Sequence, residues 1–221
     1  MINQSFAMKH NITRRLFLAL CFSLLITFAF AQSKIKVACV GNSITFGYGL
    51  KSGESYPVIL QQLLGDKYEV SNYGISARTL LRKGDKPYWN EAKYQEVLAL
   101  NPDIVIIKLG TNDTKPQNWA HKEDFVQDYE DFIASFKQLP SHPKIYVCTP
   151  FPIFPNKFNI RDSIVSNEML PDLKIIISQE KVKTIDLYHA FAGQSNLVFD
   201  GVHPTKEGAA LLAKKIYEAI K

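Results

Sequence analysis

Lys34-Ile35-Lys36-Val37-Ala38-Cys39-Val40, followed by Gly41-Asn42-Ser43, decides the fold. Its first residues alternate in polarity and its later ones are continuously apolar, which is the pattern of a strand running into a core and ending at a glycine. Residues 54–64 then place Tyr56, Ile59, Leu60, Leu63 and Leu64 at helical spacing and stop at Gly65, and residues 68–73 read as a second strand ending at Gly74. The unit repeats. Residues 88–100, 122–139 and 162–179 read as helices, and residues 103–108, 144–148 and 182–186 as strands. Thr205 reads as the cap of a last helix running to Ile220.

Strands of four to seven residues alternating with helices predict an α/β fold with a parallel sheet covered on both faces and right-handed crossovers. The expected architecture is a three-layer, flavodoxin-like sandwich with a five-stranded sheet in the order 2-1-3-4-5, formed by one domain over residues 32–221. In that order another strand separates Cys39 from Cys148 by two spacings of ~4.8 Å, beyond the ~7 Å over which Cα atoms can be bridged. Both are expected to be buried thiols. The long irregular stretches, 74–87, 110–121, 149–161 and 187–204, are where chemistry is sought.

The amino terminus differs from the rest. Lys9, His10, Arg14 and Arg15 precede an apolar run from Leu16 to Phe30, closed by Ala29-Phe30-Ala31, which is the layout of a signal peptide cleaved after residue 31. The run is shorter than the ~20 residues a spanning helix requires, so no stable membrane anchor is expected after cleavage. Removing Lys9, Arg14 and Arg15, the only charged residues of that segment, lowers the formal charge from +5 to +2. The remaining cations are interspersed with acids and form no basic stripe, which argues against nucleic acid as a partner. Hydrophobic residues at 46% and charged residues at 21% exclude a disordered or fibrous chain.

In an open parallel sheet, functional groups gather beyond the carboxyl ends of the strands, where the winding reverses. Residues 41–47, Gly-Asn-Ser-Ile-Thr-Phe-Gly, follow strand one; Gly74-Ile75-Ser76 follows strand two; Gly110-Thr111-Asn112-Asp113 follows strand three. With strands two and three flanking strand one, Gly74 and Asn112 are expected to converge on Ser43. A serine nucleophile needs a base for its proton and donors for the oxyanion it generates. The candidate donors are the Gly74 N–H, the Asn112 amide and the Ser43 N–H, the last if a helix starts just after it. The candidate base lies in Asp200-Gly201-Val202-His203-Pro204. Pro204 restricts His203 to an extended conformation, and Asp200 can hold the Nδ1 proton so that Nε2 faces Ser43.

Each residue has a plainer reading when taken singly: Ser43 as a helix cap, Gly74 as a turn residue, Asn112 as a loop cap or, with Asp113 and Thr114, a glycosylation acceptor. Their joint order along the chain favours catalysis. No histidine or cysteine pair has metal-site spacing, and no glycine motif of a nucleotide site is present, so neither a metal nor a cofactor is expected. Tyr88, Trp89, Trp119, Phe151, Phe154 and Phe158 are expected to divide between the core and a substrate pocket.

These blocks resemble those of the SGNH (GDSL-like) hydrolase family of esterases and lipases. The resemblance places Ser43, Gly74, Asn112 and His203 at the family's four defining positions, with Asn42 standing where many members have aspartate. It implies a serine hydrolase that acts on acyl esters without a metal. The wording of residues 41–47 is similar to bacterial carbohydrate acetylesterases, including sialate O-acetylesterases. The resulting expectation is an exported esterase that forms an acyl-enzyme on Ser43 and hydrolyses small O-acyl esters of a carbohydrate. A lysophospholipase or thioesterase of the same family, and a non-catalytic carbohydrate-binding protein, remain the alternatives.

Overall fold

The structure, a computed structural model, describes residues 33–221; the expected signal peptide, residues 1–31, lies outside them. Five strands, β1 (Ile35–Gly41), β2 (Tyr68–Gly74), β3 (Ile104–Lys108), β4 (Lys144–Cys148) and β5 (Lys183–Ile185), form one parallel sheet in the order β2-β1-β3-β4-β5. This is the order expected from the sequence. Gly41 lies opposite both Gly74 and Lys108. Strands β2, β1 and β3 therefore finish at one level, and the segments that follow them emerge side by side.

The main helices are α1 (Ser43–Phe46), α2 (Tyr56–Leu64), α3 (Ala92–Leu100), α4 (Phe125–Lys137), α5 (Leu170–Glu180) and α6 (Lys206–Ile220). Side chains alternate across a strand, so each strand feeds both layers. Val37, Cys39, Ile106 and Cys148 join Leu60 of α2 and Leu212 and Ile216 of α6 on one face. Ala38, Val40, Val105 and Val147 join α3, α4 and α5 on the other. In α4 the buried stripe Phe125, Tyr129, Phe132, Phe136 recurs every three or four residues. Burying each such ring contributes about 2–3 kcal/mol. Cys39 and Cys148 are free and buried, on strands separated by β3.

Two helices depart from the sequence expectation. Residues 88–100 are divided: Tyr88–Asn90 is a 3-10 turn, Glu91 is extended, and α3 starts at Ala92. Side chains of the first turn are committed elsewhere, since the Tyr88 hydroxyl donates to the Tyr73 carbonyl at 2.6 Å and the Trp89 Nε1 to the Leu80 carbonyl at 2.7 Å. The helix expected over 162–179 widens into a π turn at Val165–Met169 before α5. Pro171 has no N–H for the carbonyl four residues back, and a wider turn accommodates the missing bond. Thr205 caps α6 as expected, its Oγ1 accepting the Gly208 N–H at 3.2 Å.

Candidate active site

β1 delivers the chain to Gly41 and Asn42, and the Asn42 Oδ1 accepts the Ile44 N–H at 3.1 Å. That cap starts α1 at Ser43, so the serine sits in the first turn with its own N–H outside the helical ladder. Across the rim, the Phe199 N–H donates to the His203 carbonyl at 2.9 Å and the Thr205 N–H to the Leu197 carbonyl at 2.8 Å, closing residues 199–203 into a tight turn. Within it, Asp200 Oδ1 accepts the N–H groups of Val202 and His203 at 3.0 and 2.8 Å, and Oδ2 lies 2.8 Å from His203 Nδ1. The His203 Nε2 lies 2.8 Å from Ser43 Oγ. A carboxylate, an imidazole and a serine hydroxyl thus form one hydrogen-bonded chain.

Protonation follows from these contacts. Partial burial pushes the Asp200 carboxyl up, but the His203 ring and the backbone N–H groups of His203 and Val202 outweigh it and hold the group below the usual carboxylate range. An ionised Asp200 can only accept, so Nδ1 carries the proton and Nε2 presents its lone pair to the serine. The imidazole is boxed by rings: Tyr48 at 4.6 Å between centroids, Phe158 at 5.4 Å and Phe199 at 6.0 Å.

Ser43 and His203 open onto a cavity of ≈ 160 Å³ that is also lined by Ala77, Asn112, Tyr48 and Phe158. One amide hydrogen of Asn112 is donated to the Arg78 carbonyl at 3.1 Å, which fixes the side chain and leaves the other hydrogen for the cavity. Gly74 corrects the sequence expectation. It is not at the cavity; its N–H donates to Asn72 Oδ1 at 2.8 Å, and a Cβ there would lie 2.1 Å from the Phe46 nitrogen. The glycine lets β2 pass against the backbone of α1. Three residues later Ala77 lines the cavity in a left-handed conformation, φ 68°. For alanine that conformation costs about 1–2 kcal/mol, and its N–H has no acceptor among the described residues.

Asp113 holds this arrangement from below. It is fully buried and accepts the Leu80 N–H at 2.9 Å and the Leu81 N–H at 2.7 Å through Oδ1, tying the turn after β3 to the loop that carries Ala77. Burial pushes its carboxyl up to about 6, against the opposing pull of those N–H groups. The native state therefore retains the proton longer than the unfolded chain. Its stabilising contribution is complete below an unfolded value of about 3.9 and is lost as pH rises through the folded value. Asp113→Asn keeps an oxygen for both N–H groups and does not titrate. Denaturant unfolding between about pH 4 and 7 is expected to show the wild type losing on the order of 3 kcal/mol relative to Asp113→Asn; a pH-independent difference would contradict this account.

Residues 39–211 match the model of the GDSL-like Lipase/Acylhydrolase family. The chain belongs to that family. Over 210 residues it is 40% identical to an acetylxylan esterase of Xylanibacter ruminicola, an alignment covering 86% of this chain and 44% of that protein. The chain thus spans less than half the length of that relative. An uncharacterized Bacillus subtilis protein is 25% identical over 217 residues, covering 86% and 83% of the two chains. Among solved structures, an M. smegmatis aryl esterase superposes with a TM-score of 0.66 at 22% identity, covering 85% of this chain and 98% of the other. A carbohydrate acetylesterase from Sinorhizobium meliloti gives 0.67 at 22%, with the same coverage. These two likenesses establish the fold.

In this GDSL-like chain the aromatics singled out from the sequence are mostly structural. Tyr88, Trp119 and Phe151 are buried in the core, Trp89 and Phe154 pack against it, and Phe158 alone lines the cavity. The rings the sequence reading missed are Tyr48, 46% exposed, and Phe199, 49% exposed. Both lie beside chemistry-bearing blocks, Tyr48 five residues after the serine and Phe199 immediately before Asp200, and that adjacency was the available signal.

Proposed function

We propose that the protein is an exported serine esterase that removes acetyl groups from a carbohydrate. The observation that carries this reading is the Ser43–His203–Asp200 chain, with both links at 2.8 Å, opening onto a small cavity. His203 takes the Ser43 proton as Oγ adds to the ester carbonyl, then returns it to the departing sugar hydroxyl; water activated by the same Nε2 releases acetate from the acyl-enzyme. The oxyanion is met by the Ser43 N–H, the free Asn112 amide hydrogen and the Ala77 N–H, which takes the part first assigned to Gly74.

A volume of ≈ 160 Å³ walled by Tyr48, Phe158 and Ile160 suits a short acyl group, whereas a fatty acyl chain would have to turn back into water. The identity with an acetylxylan esterase, and the carbohydrate acetylesterase among the structural neighbours, support an acetylated sugar as substrate. Export rests on residues 1–31, and the interspersed charges of the rest support a sugar ester over nucleic acid as the ligand.

The full chain, produced in bacteria and collected outside the cytoplasm, is expected to begin at Gln32. On p-nitrophenyl esters its kcat/KM is expected to fall at least about 100-fold from acetyl to octanoyl, since the longer chain loses the enclosed geometry needed for attack. A rate that climbs with chain length would transfer the protein to the lysophospholipase or thioesterase reading. Failure of a folded sample to react with a fluorophosphonate probe would favour the non-catalytic one.

A further inference from the structure

A second depression, an open groove of ≈ 600 Å³, adjoins the site on the side of Asp200. Its lining includes Phe199, Asp200, Pro155, Lys157 and Ser195. It shares a wall with the acyl cavity: Lys157 faces the groove and the adjacent Phe158 the cavity, and the Asp200–His203 turn contributes to both. An ester whose acyl group fills the ≈ 160 Å³ cavity has its alcohol outside it, and the groove lies on the far side of the Lys157–Phe158 and Asp200–His203 walls.

Phe199 is built for contact at this boundary. One part of the ring covers His203 at 26° and 6.0 Å, yet the residue is 49% exposed. Its edge sits on Gly49, where a Cβ would lie 2.4 Å from Cζ, so the glycine is what lets the ring rest against backbone on that side. The opposite wall is fixed. The Phe154 N–H donates to the Gly201 carbonyl at 2.9 Å, and Asn156 spends its side chain on the Phe154 and Ile160 carbonyls and the Phe158 N–H, at 3.0, 2.9 and 2.9 Å. Phe199 offers an apolar surface of ring size, and Lys157 and Ser195 offer hydrogen-bonding groups around it. A pyranose has the matching form, with C–H groups on its faces and hydroxyls at its edge. Walls held in place before binding reduce the entropy lost when such a ligand docks.

We infer that this groove is a polysaccharide subsite in which Phe199 stacks against a sugar unit next to the acetylated one, making the protein an esterase of polymer chains more than of acetylated monosaccharides. The inference rests on the acetylesterase reading and deepens it. It makes Phe199 a specificity residue for the leaving group, apart from its packing on His203.

Two measurements test it. In native gels containing acetylated xylan, the full chain carrying Ser43→Ala, which leaves the polymer intact, is expected to migrate more slowly than in plain gels, and adding Phe199→Ala is expected to abolish the retardation. With Ser43 present, Phe199→Ala is expected to lower kcat/KM on acetylated xylo-oligosaccharides at least ten-fold more than on p-nitrophenyl acetate, through KM. Phe199→Trp, which retains a stacking face, is expected to recover most of that difference, and thermal melts verify that each variant is folded. Equal losses on the two substrates would mean that Phe199 acts only through His203 and would overturn the inference, as would unchanged mobility in xylan gels. Absence of wild-type turnover on any acetyl ester would instead sink the esterase reading, while the gel experiment would still report on the groove.

Discussion

Ser43→Ala is expected to lower p-nitrophenyl acetate turnover by at least about 10⁴-fold while leaving the fold intact, because the nucleophile and its base act as a unit. The substitution removes one hydroxyl that contacts His203 Nε2 at 2.8 Å and leaves the Asn42 cap on Ile44 untouched. α1 therefore keeps its start, and the ring box of Tyr48, Phe158 and Phe199 keeps the imidazole in place. The lost rate then reads chemistry and not unfolding. His203→Ala is expected to fall comparably, and the double variant no further than the single ones, since each removal already disables proton transfer to the base. Initial rates on purified proteins with matched thermal melts measure this. Retention of a tenth of wild-type turnover in Ser43→Ala would mean that the hydrogen-bonded chain is not the reaction centre.

What the sequence revealed, and what it hid, follows from how each residue does its work. Ser43, Asn112, Asp200 and His203 carry side chains of distinctive chemistry at the ends of strands or beside a proline, so residue type and topology together located the cluster they form. The strands and helices followed from apolar runs and helical stripes, which burial imposes directly on sequence, and their regular alternation pointed to the flavodoxin-like strand order. Gly74 was misread because a glycine is visible in sequence whereas the reason for it is not. Here it is clearance against the Phe46 backbone, combined with capture of its N–H by Asn72. Ala77 was missed for the converse reason. What it brings to the cavity is a backbone N–H in a left-handed turn, the donor proposed for the oxyanion, and alanine carries no mark of that conformation. The break at Glu91 was hidden too, because Tyr88 and Trp89 fit a helical stripe and their hydrogen-bond partners, Tyr73 and Leu80, are remote enough in sequence to leave no periodic trace.

The backbone N–H groups that Asp200 accepts make Asp200→Asn comparably damaging, with an expected loss in kcat of about 10⁴-fold, the scale set by a triad whose histidine is held in the wrong tautomer. Asp200 Oδ1 is fixed by the N–H groups of Val202 and His203, at 3.0 and 2.8 Å. An asparagine in this place must put its oxygen there, because the reverse orientation would set an NH₂ group against two donors. Its amide nitrogen then occupies the Oδ2 position, 2.8 Å from the imidazole Nδ1, and donates to it. Nδ1 becomes the acceptor, the proton moves to Nε2, and the ring presents a donor to Ser43 Oγ where catalysis requires a lone pair. Asp200→Ala imposes no tautomer but leaves the two N–H groups without their acceptor, so it is expected to lower the melting temperature more than Asp200→Asn while retaining more turnover. The ¹⁵N shifts of the His203 ring read the tautomer directly. An Asp200→Asn variant that keeps its proton on Nδ1, or that turns over within ten-fold of wild type, would show that the carboxylate is not what orients the base.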